Sequence, residues 1–169
     1  MKNIYLCGFM GCGKSTVAAV LARKLGVKHY DIDQLIQEHC HMTISHLFEQ
    51  YGEDYFRQLE TQVLKQTGEM KGAVFATGGG ILTNQSNGEL IRSMGTLVYL
   101  KTPFEKCYQR IQGDNSRPLA VRKTKQELQQ LFDLRDVVYQ TQSDYVIFCK
   151  NGVSAVAEDI IKQLNLKKK

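Results

Sequence analysis

The segment GFMGCGKST, residues 8–16, constrains this chain more than any other. It follows NIYLC, residues 3–7, a mostly apolar run rich in β-formers that reads as a buried strand. It leads into KSTVAAVLARKLG, residues 14–26, where Val17, Ala18, Val20, Leu21 and Leu25 recur at helical spacing and Gly26 marks a stop. Gly8, Gly13, Lys14 and Ser15 match the phosphate-binding loop, in which a glycine, four residues and a second glycine precede lysine and a hydroxyl residue. Glycines let successive N–H groups turn into one concavity, and the helix N-terminus adds unpaired donors and partial positive charge. Gly11, Cys12, Gly13, Lys14, Ser15 and Thr16 are therefore expected to wrap the phosphates of a nucleoside triphosphate. Lys14 would reach the outer phosphates and Ser15 would ligate magnesium. The alternative is a plain glycine-rich turn before a surface lysine, which the strand, motif and helix standing in order disfavour.

Beyond the loop, strand-like and helical segments alternate. KHYDI, 28–32, is expected to be a second strand, followed by helices over about 33–41, 45–51 and 53–70. GAVFATGGG, 72–80, reads as a third strand running into glycines, and a short helix near 86–94 leads to a fourth strand, TLVYLK. PFEKCYQRIQG opens with Pro103 at a helix start, and TKQE, 124–127, is a capping box before a long helix to about 142. DYVIFC supplies a fifth strand and a last helix covers about 153–165. This alternation implies a parallel sheet covered on both faces, with ligands at the carboxyl ends of its strands.

A chain of 169 residues fits one domain. No apolar run approaches the length of a membrane span, and the N-terminal stretch makes no convincing signal peptide. The five cysteines, at 7, 12, 40, 107 and 149, form an odd set without CxxC spacing, which suits free thiols in a reducing cytoplasm. Part of the +5 net charge sits in the terminal KKK, and the arginines are spread along the chain, so a nucleic-acid partner is not expected. EHCH, 38–41, is no metal cluster, because consecutive helical residues point in different directions.

Five further features carry candidate chemistry. Asp31 and Asp33, in DID, end the second strand, and strand alternation places both on one side of the ligand edge. One could support magnesium through its water shell, and the other could orient an attacking hydroxyl; Asp33 could instead cap the next helix. Glu53, Arg57 and Glu60 share a helix face, a pattern that by spacing alone fits a solvated charge ladder. Gly78, Gly79 and Gly80 have no packing value, so either a ligand or another backbone approaches closely there or the segment is a plain loop. No aspartate occurs over 73–80, which leaves Asp31 as the metal candidate. Arg135 falls in the middle of the apolar stripe Leu128, Leu131, Phe132, Val138 and Tyr139, so it either binds an anion or snorkels. GDNSRPLAV, 113–121, has the character of a lid, with Arg117 able to close over a phosphoryl group.

GFMGCGKS, DID, FRxxE as Phe56, Arg57 and Glu60, TGGG, RPL at 117–119, and Arg135 occur in the order and spacing of shikimate kinases. The chain resembles that family over nearly its whole length. The resemblance implies an α/β, P-loop, nucleoside-monophosphate-kinase-like fold: a five-stranded parallel sheet flanked by helices, with a substrate-binding helical region over about 33–61 and a mobile lid over about 112–124 of a single domain, 1–169. It implies transfer of the γ-phosphoryl group of ATP, with Mg2+, to the 3-hydroxyl of shikimate, by a cytoplasmic monomer. By the same resemblance, Lys14, Asp33 and Arg117 act in catalysis, and Ser15 and Asp31 attend the metal. Arg110 stacks on adenine. Asp33, Arg57, Glu60, Gly78, Gly79, Gly80 and Arg135 form the shikimate site. The match near 150–154, where the rest of the adenine pocket belongs, is loose. The rival readings are a kinase of another small hydroxy acid, such as gluconate, and a nucleotide switch. For the switch, the guanine-reading Asn-Lys-x-Asp segment is absent.

Overall fold

The computed structural model describes residues 1–114 and 122–168; Arg117 and the middle of the expected lid lie outside the described residues. Strand β1 (Asn3–Cys7) is buried at every position, as a central strand covered on both faces must be. The glycine loop joins it to α1 (Lys14–Leu25), with Gly8, Gly11 and Gly13 all at positive φ. The chain then forms β2 (His29–Asp31), α2 (Ile32–Cys40) and α3 (Ile44–Gln66). Next come β3 (Val74–Ala76), α4 (Gln85–Met94), β4 (Gly95–Lys101) and α5 (Phe104–Ile111). After the undescribed segment follow α6 (Lys125–Gln142), β5 (Tyr145–Phe148) and α7 (Val153–Gln163).

All the strand pairings are parallel, in the order β2-β3-β1-β4-β5. The loop-bearing strand is thus central, with Leu6 in register with Ala76 on one side and Cys7 with Tyr99 on the other. Asp31 pairs with Ala76 in turn, so the ends of β1, β2 and β3 deliver the glycine loop, Asp31 and the 77–80 segment to one sheet edge. α1 packs against α7 and β3, while α4 and α6 pack against β4.

Several boundaries differ from expectation. β2 stops at Asp31, and Asp33 already lies in the first turn of α2. Asp31, not Asp33, is the helix cap: its Oδ1 accepts the Asp33 N–H at 3.0 Å. The helices expected on either side of residue 52 both form: α3 is two helices that meet at Gly52 (φ 82°, ψ 174°), whose non-helical backbone a side chain resists. The second ends at Gln66, short of residue 70, and gives way to a 3-10 turn, Thr67–Glu69. The capping box forms as expected, with Glu127 N–H donating to Thr124 Oγ1 at 3.2 Å and Thr124 N–H to Glu127 Oε2 at 2.6 Å.

Candidate active site

The glycine loop lies tightly against the end of β4 and against α5. A Cβ on Gly8 would sit 2.9 Å from the Leu100 carbonyl oxygen, and one on Gly11 would sit 2.7 Å from the Cys107 carbonyl oxygen. Lys14 folds back over the loop and donates to the carbonyls of Gly8 at 2.8 Å and Phe9 at 3.1 Å. Its ammonium group is thereby held inside the concavity that the loop surrounds. Arg110, from α5, reaches across and donates to the Gly11 carbonyl at 3.0 Å. Cys12 is buried in the loop, whereas Ser15 and Thr16 are exposed at the start of α1.

Ser15 Oγ donates to Asp31 Oδ2 at 2.5 Å, so a hydroxyl and a carboxylate meet beside the loop. Two hard oxygen donors fit Mg2+, which keeps several waters and leans on substrate phosphates instead of an all-protein cage. Among the described residues, no group of three or more His, Cys, Asp or Glu side chains converges to hold a metal, EHCH included.

A cavity of about 720 Å³ opens next to this pair, lined by Ser15, Asp31, Asp33, Arg57, Glu60, Arg135 and the glycine triplet. Lys14, at the start of α1, and Arg110, on α5, lie outside this lining. The triplet allows close approach of side chains. A Cβ on Gly78 would fall 2.5 Å from Glu60 Oε1 and 3.0 Å from Asp33 Oδ1, and one on Gly80 would fall 2.6 Å from Arg57 Cζ. At Gly79 the nearest guanidinium nitrogen, of Arg135, would be 3.5 Å away. None of these glycines has a positive φ, so proximity, not backbone strain, selects them.

The charge ladder suggested by spacing alone is solvated only at Glu53; Arg57 is half-buried and Glu60 is buried. Arg57 donates to Glu60 Oε2 at 2.8 Å and to Glu53 Oε1 at 3.3 Å, and Glu60 is fully buried with no partner for Oε1. Burial pushes the Glu60 carboxyl up to about 7, against the pull of Arg57, and the neighbouring Asp33 charge adds to the rise. Because this value lies above the unfolded one, the folded state holds the extra proton between about 4.5 and 7. Glu60 therefore favours folding below that window and loses the contribution as pH rises through it. Glu60→Gln should remove the dependence. In urea titrations at pH 5 and 8, the wild type should lose roughly 2–4 kcal/mol relative to the variant.

Arg135 is buried at 5% exposure, and its Nε has no hydrogen-bond partner. Burial lowers the pKa of its guanidinium. An inward, incompletely paired cation beside a cavity is suited to an arriving anion and not to snorkelling. One turn later Tyr139, which the sequence pattern counts as merely apolar, donates through its hydroxyl to the Gly79 carbonyl. Its spacing of four residues from Arg135 is the signal that could have singled it out.

A lysine-bearing glycine loop on the central strand of a parallel sheet, next to a cavity lined by charged side chains, defines a P-loop phosphotransferase. The shikimate kinase family model matches residues 10–165, and the chain belongs to that family, with shikimate kinase activity in the shikimate pathway to aromatic amino acids. It is 40% identical over 164 residues to the shikimate kinase of Sulfurihydrogenibium sp. (strain YO3AOP1), covering 97% of this chain and 98% of that protein. The shikimate kinase of Acinetobacter baumannii, solved in complex with shikimate, superposes with a TM-score of 0.93 at 39% identity, over 98% of this chain and 93% of that one. Deoxyadenosine kinase from M. mycoides, at TM-score 0.64 and 16% identity over 98% of this chain and 100% of that one, shares the fold alone. The family implies ATP as the phosphoryl donor.

Proposed function

We propose that the cavity holds shikimate beside ATP and Mg2+, and that the γ-phosphoryl group passes to the 3-hydroxyl. The carrying observation is the convergence of two arginines from separate helices, Arg57 and Arg135, on the glycine triplet, in a cavity that also reaches Ser15 and Asp31. Planar guanidinium groups suit a carboxylate, which two of them can grip in a fixed orientation. A gluconate-type acceptor offers the same carboxylate on an open chain, but the fixed pair of arginines favours a rigid ring. In the A. baumannii relative, the bound molecule is shikimate.

The roles then follow. Arg57 and Arg135, with the backbone of Gly79 and Gly80, hold the carboxylate, and Glu60 holds Arg57 in place. Asp33 accepts a hydrogen bond from the 3-hydroxyl and takes its proton as the oxygen attacks the γ-phosphorus. The bond to the bridging oxygen breaks, ADP leaves, and shikimate 3-phosphate remains. Lys14 neutralises charge on the outer phosphates, and Arg110 lies against the adenine. Arg117 closes on the phosphates from the lid. Ser15 and Asp31 would hold Mg2+, which when bound neutralises phosphate charge. The enzyme works as a cytoplasmic monomer; none of its helices among the described residues is long and apolar enough to cross a membrane, and its cysteines are free.

ADP release with shikimate, quinate and gluconate, each with and without Mg2+, tests this reading. Turnover should require shikimate and Mg2+, with phosphorus–proton correlation NMR locating the new ester on the 3-hydroxyl; preference for gluconate would overturn it. Gly80→Ala gives a sharper test of the cradle. Gly80 has φ −102° and ψ 3°, which alanine accepts, so the fold should survive. The new methyl must push the Arg57 guanidinium aside, and KM for shikimate should rise about 10- to 100-fold, as steady-state kinetics would read.

A further inference from the structure

The absence of side chains at residues 78–80 lets charged groups approach, but it leaves the intervening peptides free to rotate. The carbonyls on either side are held within the local turn. Gly78 O accepts the Ile81 N–H at 3.2 Å, and Gly80 O accepts the Thr83 N–H at 3.1 Å and the Thr83 hydroxyl at 2.6 Å. The Gly79 carbonyl alone of the three turns toward α6, where the Tyr139 hydroxyl donates to it.

Tyr139 is built to hold that position. It is 1% exposed, and its ring lies 5.0 Å from that of Tyr99. The Tyr99 hydroxyl donates to Asp136 Oδ1 at 2.5 Å, and Lys101 and Gln140 donate to Asp136 Oδ2 at 3.3 and 2.7 Å. The Tyr99 and Lys101 bonds tie α6 to β4 at Asp136, three residues before Tyr139, and Gln140 braces Asp136 from within α6. In a trans peptide the C=O and N–H point in opposite directions, and no described peptide is cis. Fixing the Gly79 carbonyl toward Tyr139 therefore fixes the Gly80 N–H away from it, at a residue that lines the cavity with Arg57 and Arg135.

We propose that Tyr139 is a positioning residue: by gripping the Gly79 carbonyl it aims the Gly80 N–H into the cavity as a third donor to the anionic end of the substrate. This rests on the reading of the cavity as the shikimate site. A buried tyrosine hydroxyl needs an acceptor for stability alone, so the test must separate orientation from packing.

Tyr139→Phe keeps the ring and removes the grip. KM for shikimate should rise about tenfold, the scale of one lost hydrogen bond, with kcat within about twofold and KM for ATP unchanged. The Gly80 amide resonance of 15N-labelled, ligand-free enzyme should move, and shikimate carboxamide should bind wild type and variant alike. In the wild type, adding shikimate should slow exchange of the Gly80 amide proton, a readout that does not depend on the variant folding. An unchanged shikimate KM with an unmoved Gly80 resonance overturns the proposal. So does a parallel fall in both substrates' affinities and in Tm, or unaltered Gly80 exchange in the wild type. A wild type that turns over shikimate while these fail leaves the activity standing; one that does not turn it over removes both.

Discussion

Lys14→Ala should lower turnover by about 10²- to 10⁴-fold, the range seen when a preorganised cation or donor is removed from a phosphoryl-transfer or oxyanion site. The reason lies in how the lysine is held. Its ammonium group bonds the Gly8 and Phe9 carbonyls, which fixes a positive charge inside the loop before any phosphate arrives. Charge that is already in place needs no reorganisation when negative charge migrates during transfer. Lys14→Arg should recover little, because the wider guanidinium cannot fit between the same two carbonyls. The fold should survive, since β1 and α1 are anchored by Tyr5, Leu6, Val17 and Leu21, all deep in the core. Circular dichroism with coupled ADP release decides the matter, and near-normal turnover would remove the phosphate-loop assignment.

Arg135→Ala should weaken shikimate binding by about 2–5 kcal/mol, the cost of stripping one partner from a buried charge-assisted pair. Nucleotide affinity should change far less, because Arg135 lines the acceptor cavity and not the glycine loop. Arg135→Lys should restore only part, since a point charge cannot reproduce the planar fork. The ligand-free protein should tell the opposite story. Arg135 is buried with an unpartnered Nε, and its desolvation is incompletely repaid until substrate arrives. Removing it should leave Tm unchanged or raise it, whereas a purely structural arginine would lower Tm.

Much of this site is legible in the residues themselves, for reasons that differ from element to element. The glycine loop is local: strand, turn and helix are contiguous, so one stretch of about ten residues specifies its geometry. The strand order is not local. That β3 lies between β1 and β2 depends on parallel pairings across some 70 residues, such as Ile4 with Val74. The aspartates show how a boundary changes a role. Alternation places Asp31 and Asp33 on one strand face, but the helix begins at Ile32, so Asp31 becomes cap and Ser15 partner while Asp33 turns into the cavity by helical geometry. Glu53, Arg57 and Glu60 look solvated because spacing describes only their own helix. Glu53 does stay exposed, but Arg57 and Glu60 tuck against a glycine triplet about 20 residues further on, whose missing side chains make room. The family resemblance reaches that conclusion where periodicity does not. Tyr139 escapes both, because a hydrophobic pattern does not register which way a hydroxyl points.

The most direct measurement is a four-corner calorimetric cycle: wild type and Arg135→Ala, each titrated with shikimate and with its neutral carboxamide. If the buried arginine grips the carboxylate, either change alone should cost most of the affinity, and the second should add little, with a coupling of about 2 kcal/mol or more. Losses that simply add would show that Arg135 does not hold the carboxylate, and the cradle formed by two arginines and a glycine triplet would be wrong.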